Sequence, residues 1–244
     1  MTNSPPENRF ERWLQEGKRS EGEPIPAATV ILVRERDGGA YENRLETLML
    51  RKNSKLAFGG MWVFPGGRID DVDREGADRV EDAARRAAVR EAYEEAGLKV
   101  DAGSLQWISH WLPPLASPKR FATWFFVAPA PEGIVQIDDG EIHESKWMGP
   151  DAALAQRDAQ AIELAPPTWM TLHYLAEFNN VADLMSDAEA RAPTYYETRI
   201  AKGDKGVAAM WSGDSGYEDG SIDAPGSRHR LWLTNDSWIL ERSI

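Results

Sequence analysis

Arg90-Glu91-Ala92-Tyr93-Glu94-Glu95-Ala96-Gly97-Leu98 is the stretch on which the reading of this chain turns. Its glutamates stand three and four residues apart, so on a helix they share one side. Crowded carboxylates repel one another unless a cation sits among them. The hard dications Mg2+, Mn2+ and Ca2+ prefer such oxygen ligands. Gly97 stands where a helix C-cap glycine belongs. The stretch reads as a metal-binding helix that stops at a sharp turn.

Upstream, the helix extends back to about Val80. Ala84 and Ala88 fall in line with Glu91 and Glu95 at about 100° per residue. Val89, Ala92, Tyr93 and Ala96 mark a second apolar side, so the helix is expected to be sandwiched. Ahead of it, Trp62-Val-Phe64 reads as a short strand ended by Pro65. Gly66 and Gly67 then permit backbone conformations closed to other residues. Residues 68–79 are polar and read as a loop.

Further strands are expected at Pro26–Arg34 and Leu45–Arg51, as a pair, and at Leu105–Trp111, Ala122–Ala128 and Ile142–Met148. Asp37-Gly-Gly39 marks a turn. Asp151–Gln156 suggests a short helix, and Trp169–Asn179 a helix introduced by Pro166-Pro167-Thr168. Beyond that the pattern weakens, with strands at 206–211, 229–233 and 238–242 around a Gly- and Asp-rich loop at 212–227. The expected organisation is a flexible arm over 1–24 with a short helix near Phe10–Leu14, a main domain over 25–180, and a C-terminal extension over 181–244 packed on it.

The bulk numbers narrow the function. The chain has 244 residues, 42% of them hydrophobic and 28% charged, which fits a globular domain with an extension. A formal net charge of -12 disfavours nucleic acid and anionic lipid as partners. It leaves room for a small anionic substrate, because a dication and a few basic residues invert the local field. No run of about eighteen apolar residues suggests a membrane span. Neither a signal-peptide pattern nor a retention tag is present, so a cytoplasmic location is the expectation. The absence of cysteine excludes disulfides, zinc–thiolate sites and cysteine nucleophiles. The four histidines have no metal-ligand spacing and read as structural or surface residues. Trp124 and Trp147 are the tryptophans weighed for stacking on a base.

Taken in order, the strand, Pro-Gly-Gly turn, loop, carboxylate helix and glycine resemble the Nudix hydrolase family. Its box is G-x5-E-x7-R-E-U-x-E-E-x-G-U, with U apolar. Arg90-Glu91, Glu94-Glu95, Gly97 and Leu98 match its back half, with Ala92 at the first U. Counting back from Arg90 puts Asp82, beside Glu81, at the first glutamate and Gly76 at the glycine. Pro65-Gly66-Gly67 fits the turn better, so the residues between Arg68 and about Val80 read as an insertion.

The resemblance implies an α/β fold, the Nudix α/β/α sandwich with a mixed β-sheet, followed here by the C-terminal extension. It implies a hydrolase of diphosphate linkages that uses Mg2+ or Mn2+. Glu91, Glu94 and Glu95 would hold metal, with the Gly66 carbonyl completing a site. Glu94 and Glu95 carry over as catalytic, and Arg90 as the residue that orients a glutamate. A general base often lies outside the box; Glu144 is slightly preferred to Glu141. Arg68, Lys119 and Arg120 are candidate phosphate contacts.

The turn Val63-Phe-Pro-Gly-Gly-Arg-Ile-Asp70, the inserted loop, Phe121-Ala-Thr-Trp-Phe-Phe and Ala165-Pro-Pro-Thr are similar to the coenzyme A and acyl-CoA diphosphatase branch. That branch's upstream Arg-Ser-x-x-Leu-Arg is echoed only loosely by Arg51-Lys-Asn-Ser-Lys-Leu56. The expected substrate is therefore coenzyme A or an acyl-CoA. ADP-ribose or another nucleotide-sugar or dinucleotide is the alternative within enzymes. A non-catalytic nucleotide-binding Nudix regulatory module is the alternative of another class, against which the intact glutamate set argues. Homodimers are common in the family, which makes a second copy an expected partner.

Overall fold

The computed structural model describes residues 10–12, 20, 22–36, 45–53, 59–138, 140–234 and 236–243. The Asp37-Gly-Gly39 turn, Ser54-Lys55-Leu56 and most of the N-terminal arm lie outside the described residues. Of the short helix expected near residues 10–14, residues 10–12 are described and are helical. The chain forms two compact units. One comprises Pro26–His110 and Thr123–Thr194; the other comprises the described part of Met1–Ile25 with Trp111–Ala122 and Tyr195–Ile244.

Alternation of apolar residues builds the sheet of the first unit. Ala28, Val30 and Leu32 of β1 (Ile25–Glu35) and Leu48 and Leu50 of β2 (Leu45–Lys52) enter one core. β1 and β2 are antiparallel, with Val33 opposite Thr47. β3 (Trp62–Val63) pairs with β2, and β4 (Gly66–Arg68) pairs antiparallel with β1. β5 (Gln106–Leu112) and β6 (Phe121–Pro129) extend the order to β3-β2-β1-β6-β5, and β7 (Ile142–Met148) pairs with β2. A parallel bridge joins Trp62 to Leu164, so the sheet is mixed.

Between β4 and β5 lie a one-turn helix, α1 (Asp71–Arg74), and the long helix α2 (Val80–Ala96). α2 has the bounds expected from the sequence. Ala83, Ala84, Ala87, Ala88, Ala92 and Ala96 are buried in the same core as β1 and β2. Their small side chains let the helix lie close to the sheet, which brings its glutamates to the backbone of β4. Gly97 ends the helix at φ 69°, its N–H bonded to the Tyr93 carbonyl. The second apolar side is only partly realised, because Tyr93 is 54% exposed.

Three stretches differ from expectation. Residues 68–79 are not all loop: Asp70 and Asp73 cap each other's backbone to form α1. The Pro-Gly-Gly segment is not only a turn, since Gly66–Arg68 is a strand on β1. After α3 (Pro150–Asp158) and α4 (Pro166–Leu175), the weakly patterned region holds α5 (Val181–Ala190), capped by Asn180.

The second unit contains β8 (Thr194–Glu197) and an antiparallel sheet of β9 (Arg199–Gly203), β10 (Gly206–Met210), β11 (Arg228–Trp232) and β12 (Ile239–Ser243), in the order β12-β11-β10-β9. Ala208, Met210, Tyr217, Ile222 and Trp232 form its core. Among the described residues, no helix is long and apolar enough to cross a membrane.

Candidate active site

The site is built on the clamped Pro65-Gly66-Gly67 segment. Thr29 of β1 donates its hydroxyl to the Pro65 carbonyl at 2.5 Å, and the Val30 N–H reaches the same oxygen at 2.9 Å. A Cβ on Gly66 would lie 2.6 Å from the Ala28 carbonyl oxygen, so glycine permits this approach. Held there, the Gly66 N–H donates to Glu95 Oε2 at 2.9 Å. Gly67 faces the next carboxylate. A Cβ on it would collide with the Glu91 side chain.

Arg90 ties the helix to the segment before it. Its Nη1 donates to Glu91 Oε1 and to Glu94 Oε2, each at 2.9 Å. Its Nη2 donates to the Arg68 carbonyl and to Asp73 Oδ2, again at 2.9 Å, and its Nε reaches Asp73 Oδ1 at 3.2 Å. One guanidinium thus fixes two glutamates, the strand β4 and the helix α1. A planar five-donor fork suits this task and a lysine does not.

Asp73 is the residue that sequence reasoning missed. It is 4% exposed and grips Arg90 with both oxygens. The signal was present: counting forward, Gly67-x5-Asp73 has the spacing of the box's opening G-x5-E. Sixteen residues then separate Asp73 from Arg90 where the box has seven. Counted forward from Gly67 the insertion falls after the first acid, Asp73, and counted back from Arg90 it falls before Asp82. Asp82 instead accepts the Arg79 N–H at 3.1 Å as a helix cap, and Glu81 pairs with Arg79 and Arg85. Gly76, at φ 64°, lies in the turn before α2.

The carboxylates differ in their surroundings. Glu95 is 3% exposed. Burial raises its pKa, although Lys52 and the Gly66 N–H work against that. Lys52 Nζ lies 2.6 Å from Glu95 Oε1. Glu91 is pushed up to about 7, first by burial and then by Glu95 and Glu94, despite its bond to Arg90. The Glu94 side chain is half exposed. Among the described residues, no three acidic or imidazole side chains are drawn together as a ready-made ion cage. The donor set still suits a hard dication. Glu91 and Glu95 are crowded and buried enough to resist ionisation, and added positive charge is what would keep them charged.

The other expected residues are placed as follows. Glu141 Oε2 lies 3.6 Å from Lys52 Nζ, on the cation that also serves Glu95. Glu144, opposite Arg51 on the β2–β7 ladder, lies 3.6 Å from the Arg51 guanidinium. The structure therefore couples Glu141, rather than Glu144, to the helix carboxylates. Arg68 is exposed beside the turn. Arg120 belongs to the second unit, where its Nε donates to the Pro113 carbonyl. Trp124 packs on Trp107, with centroids 4.3 Å apart, and Trp147 carries the Arg34 guanidinium over its ring. Lys52, one residue past the strand expected at Leu45–Arg51, is the last residue of β2.

The Nudix domain model matches residues 23–168. No curated protein matches the chain. Among solved structures, a Nudix hydrolase from Alicyclobacillus acidocaldarius superposes with a TM-score of 0.62 at 22% identity, covering 68% of this chain and 97% of that one. A MutT Nudix hydrolase from Burkholderia pseudomallei gives 0.46 at 19% identity, over 62% and 98%. At these identities the likeness is one of fold. The domain match spans more than half of the 244 residues and contains both the Arg90 and the Glu95 networks, so the chain belongs to the Nudix family and is a hydrolase acting on pyrophosphate bonds.

Proposed function

We propose that this hydrolase is divalent-metal-dependent and splits the diphosphate of a nucleoside-diphosphate-linked substrate, with coenzyme A or an acyl-CoA as the leading class. The observation that carries the reading is the Arg90 fork. It aligns Glu91 and Glu94 while being anchored to Asp73 and to the β4 backbone. An arrangement that spends every donor of one arginine on orientation is a positioning device for the carboxylates.

Glu91, Glu94 and Glu95, with the Gly66 carbonyl, would hold Mg2+ or Mn2+. When bound, the ion would lower the pKa of a water and offset the charge of the diphosphate. Arg90 orients and does not react. Glu141 is favoured over Glu144 as general base, since it is exposed to water and shares Lys52 with Glu95. Arg68 is the favoured phosphate contact in this unit. Support for coenzyme A comes from the Val63–Asp70 turn and the lengthened stretch between Asp73 and Arg90.

The test is a metabolite panel with Mg2+ and product identification, run on wild type and on Glu94→Gln and Glu95→Gln. Coenzyme A should yield phosphopantetheine and an adenosine bisphosphate, with both variants strongly impaired. Turnover of ADP-ribose or a dinucleoside polyphosphate without coenzyme A would reject the substrate class. An inert wild type, or fully active variants, would reject catalysis by these carboxylates.

A further inference from the structure

Lys52 is an anomaly in the strand that carries it. Leu48 and Leu50 of β2 both enter the core beneath α2. Side chains two apart on a strand share a face, so the next position on that face is Lys52. Its side chain is 13% exposed and its Nζ lies 2.6 Å from Glu95 Oε1. The β2–β7 ladder is irregular at this point. Arg51 faces Glu144 but Lys52 faces Ile142, so His143 is the extra residue of a bulge. A bulge re-aims the side chains beside it. The outlet for the ammonium is Glu141, whose Oε2 lies 3.6 Å from it.

We infer that Lys52 is a resident counter-ion for Glu95, occupying the carboxylate until a divalent cation displaces its ammonium toward Glu141. This rests on the reading of Glu95 as a metal ligand. The physical logic is geometric: Glu95 is 3% exposed, its Oε2 is met by the Gly66 N–H and its Oε1 by the Lys52 ammonium, so an ion that takes Oε1 must move that ammonium. An ammonium on a flexible stem can leave, whereas the Arg90 fork, held at five contacts, cannot. Lys52 is thus a positioning residue that aims Glu95, and it is the competitor that sets how much metal is needed.

Two measurements test this on the full chain. Mn2+ titration followed by electron paramagnetic resonance gives the affinity of wild type, Lys52→Met and Lys52→Arg. Removing the competing charge should tighten Mn2+ binding by roughly tenfold in Lys52→Met, while Lys52→Arg stays near wild type. Mass-resolved labelling of lysines in wild type, with and without Mn2+, needs no variant to fold. Lys52 should label several-fold faster with the metal, and the other lysines at unchanged rates. Unchanged or weaker Mn2+ binding in a folded Lys52→Met, or Lys52 labelling that does not rise with metal, would overturn the inference and leave a purely structural ion pair. If wild type binds no Mn2+ at all, the metal-dependent function itself fails, and the two failures are distinguishable.

Discussion

In the second unit, Asp214 and Arg230 are 0% and 1% exposed at their side chains, and every oxygen and nitrogen of the pair is occupied. Arg230 donates Nε and Nη2 to the two carboxylate oxygens and Nη1 to the Ile222 carbonyl. The N–H groups of His229 and Gly216 complete Asp214. Burial alone would raise its pKa; those hydrogen bonds prevail and hold it at about 2. On α2 of the first unit, burial prevails instead, and Glu91 is pushed up to about 7. Both regions bury carboxylates beside an arginine. One matches a single negative charge to a single fork, while the other sets Glu91 and Glu94 on a fork already committed to Asp73. The first arrangement is complete as it stands. The second leaves Glu91 well above the ordinary carboxylate range, an imbalance that the proposed cation would relieve.

The sharpest way to break this contrast is Glu91→Gln. If the carboxylates on α2 are functional, the neutral amide should reduce kcat by about a thousandfold. The same change removes a charge that burial disfavours. Unfolding of the metal-free protein at pH 8 should therefore require more urea than wild type, by more than about 1 kcal/mol. A loss of both activity and stability would mean that Glu91 behaves like Asp214, as a structural partner.

Arg230→Met tests the other side. It leaves Asp214 buried with no cation, which should cost about 3 kcal/mol of stability, read by urea denaturation of the second unit. The pH dependence follows from a depressed carboxyl. Asp214 contributes stability that is present above its ordinary value of 3.8 and is lost as pH falls through about 2. In acid titrations monitored by tryptophan fluorescence, that acid-sensitive contribution should be absent from the variant. A variant as stable as wild type at neutral pH would show that methionine packing replaces the pair.

The sequence made some of this legible and hid the rest for physical reasons. The bounds of α2 could be read because alanine periodicity, the Arg-Glu pattern and a C-cap glycine agree. Glu91, Glu94 and Glu95 could be read because a helix fixes which side chains share a face. Residues 66–74 were harder. Glycine has no side chain to show strand alternation, and β4 exists because Thr29, distant in sequence, clamps Pro65. Lys52 was hidden because it falls one residue past the strand expected at Leu45–Arg51, where a lysine normally points to solvent. Only the packing of β2 under α2 shows that its face is the core. The slight preference for Glu144 over Glu141 rests on its nearness to the expected strand, and nothing in the sequence signals the bulge on β7 beside which Glu141 lies 3.6 Å from Lys52 Nζ.

The smallest expected effects come from the two acids that competed for one role. Asp73→Asn keeps the shape of the side chain but removes the charge that Arg90 grips at 2.9 and 3.2 Å. Arg90 would then hold Glu91 and Glu94 less firmly, and kcat should fall by roughly 10- to 100-fold with KM little changed. Asp73→Glu, which restores the acid usual at this point of the box, should recover much of that loss. A residue needed only for folding would not be rescued in kcat alone. Asp82→Ala removes a bond to one helix-capping N–H, at 3.1 Å, and no contact to Arg90. It should cost less than about 1 kcal/mol of stability and leave kcat unchanged. If the outcomes were reversed, with Asp82 controlling the rate and Asp73 only the stability, the box would have to be counted back from Arg90 after all. The insertion would then fall before its first acid, and the grip of Asp73 on Arg90 would belong with the Asp214–Arg230 pair as a structural ion pair.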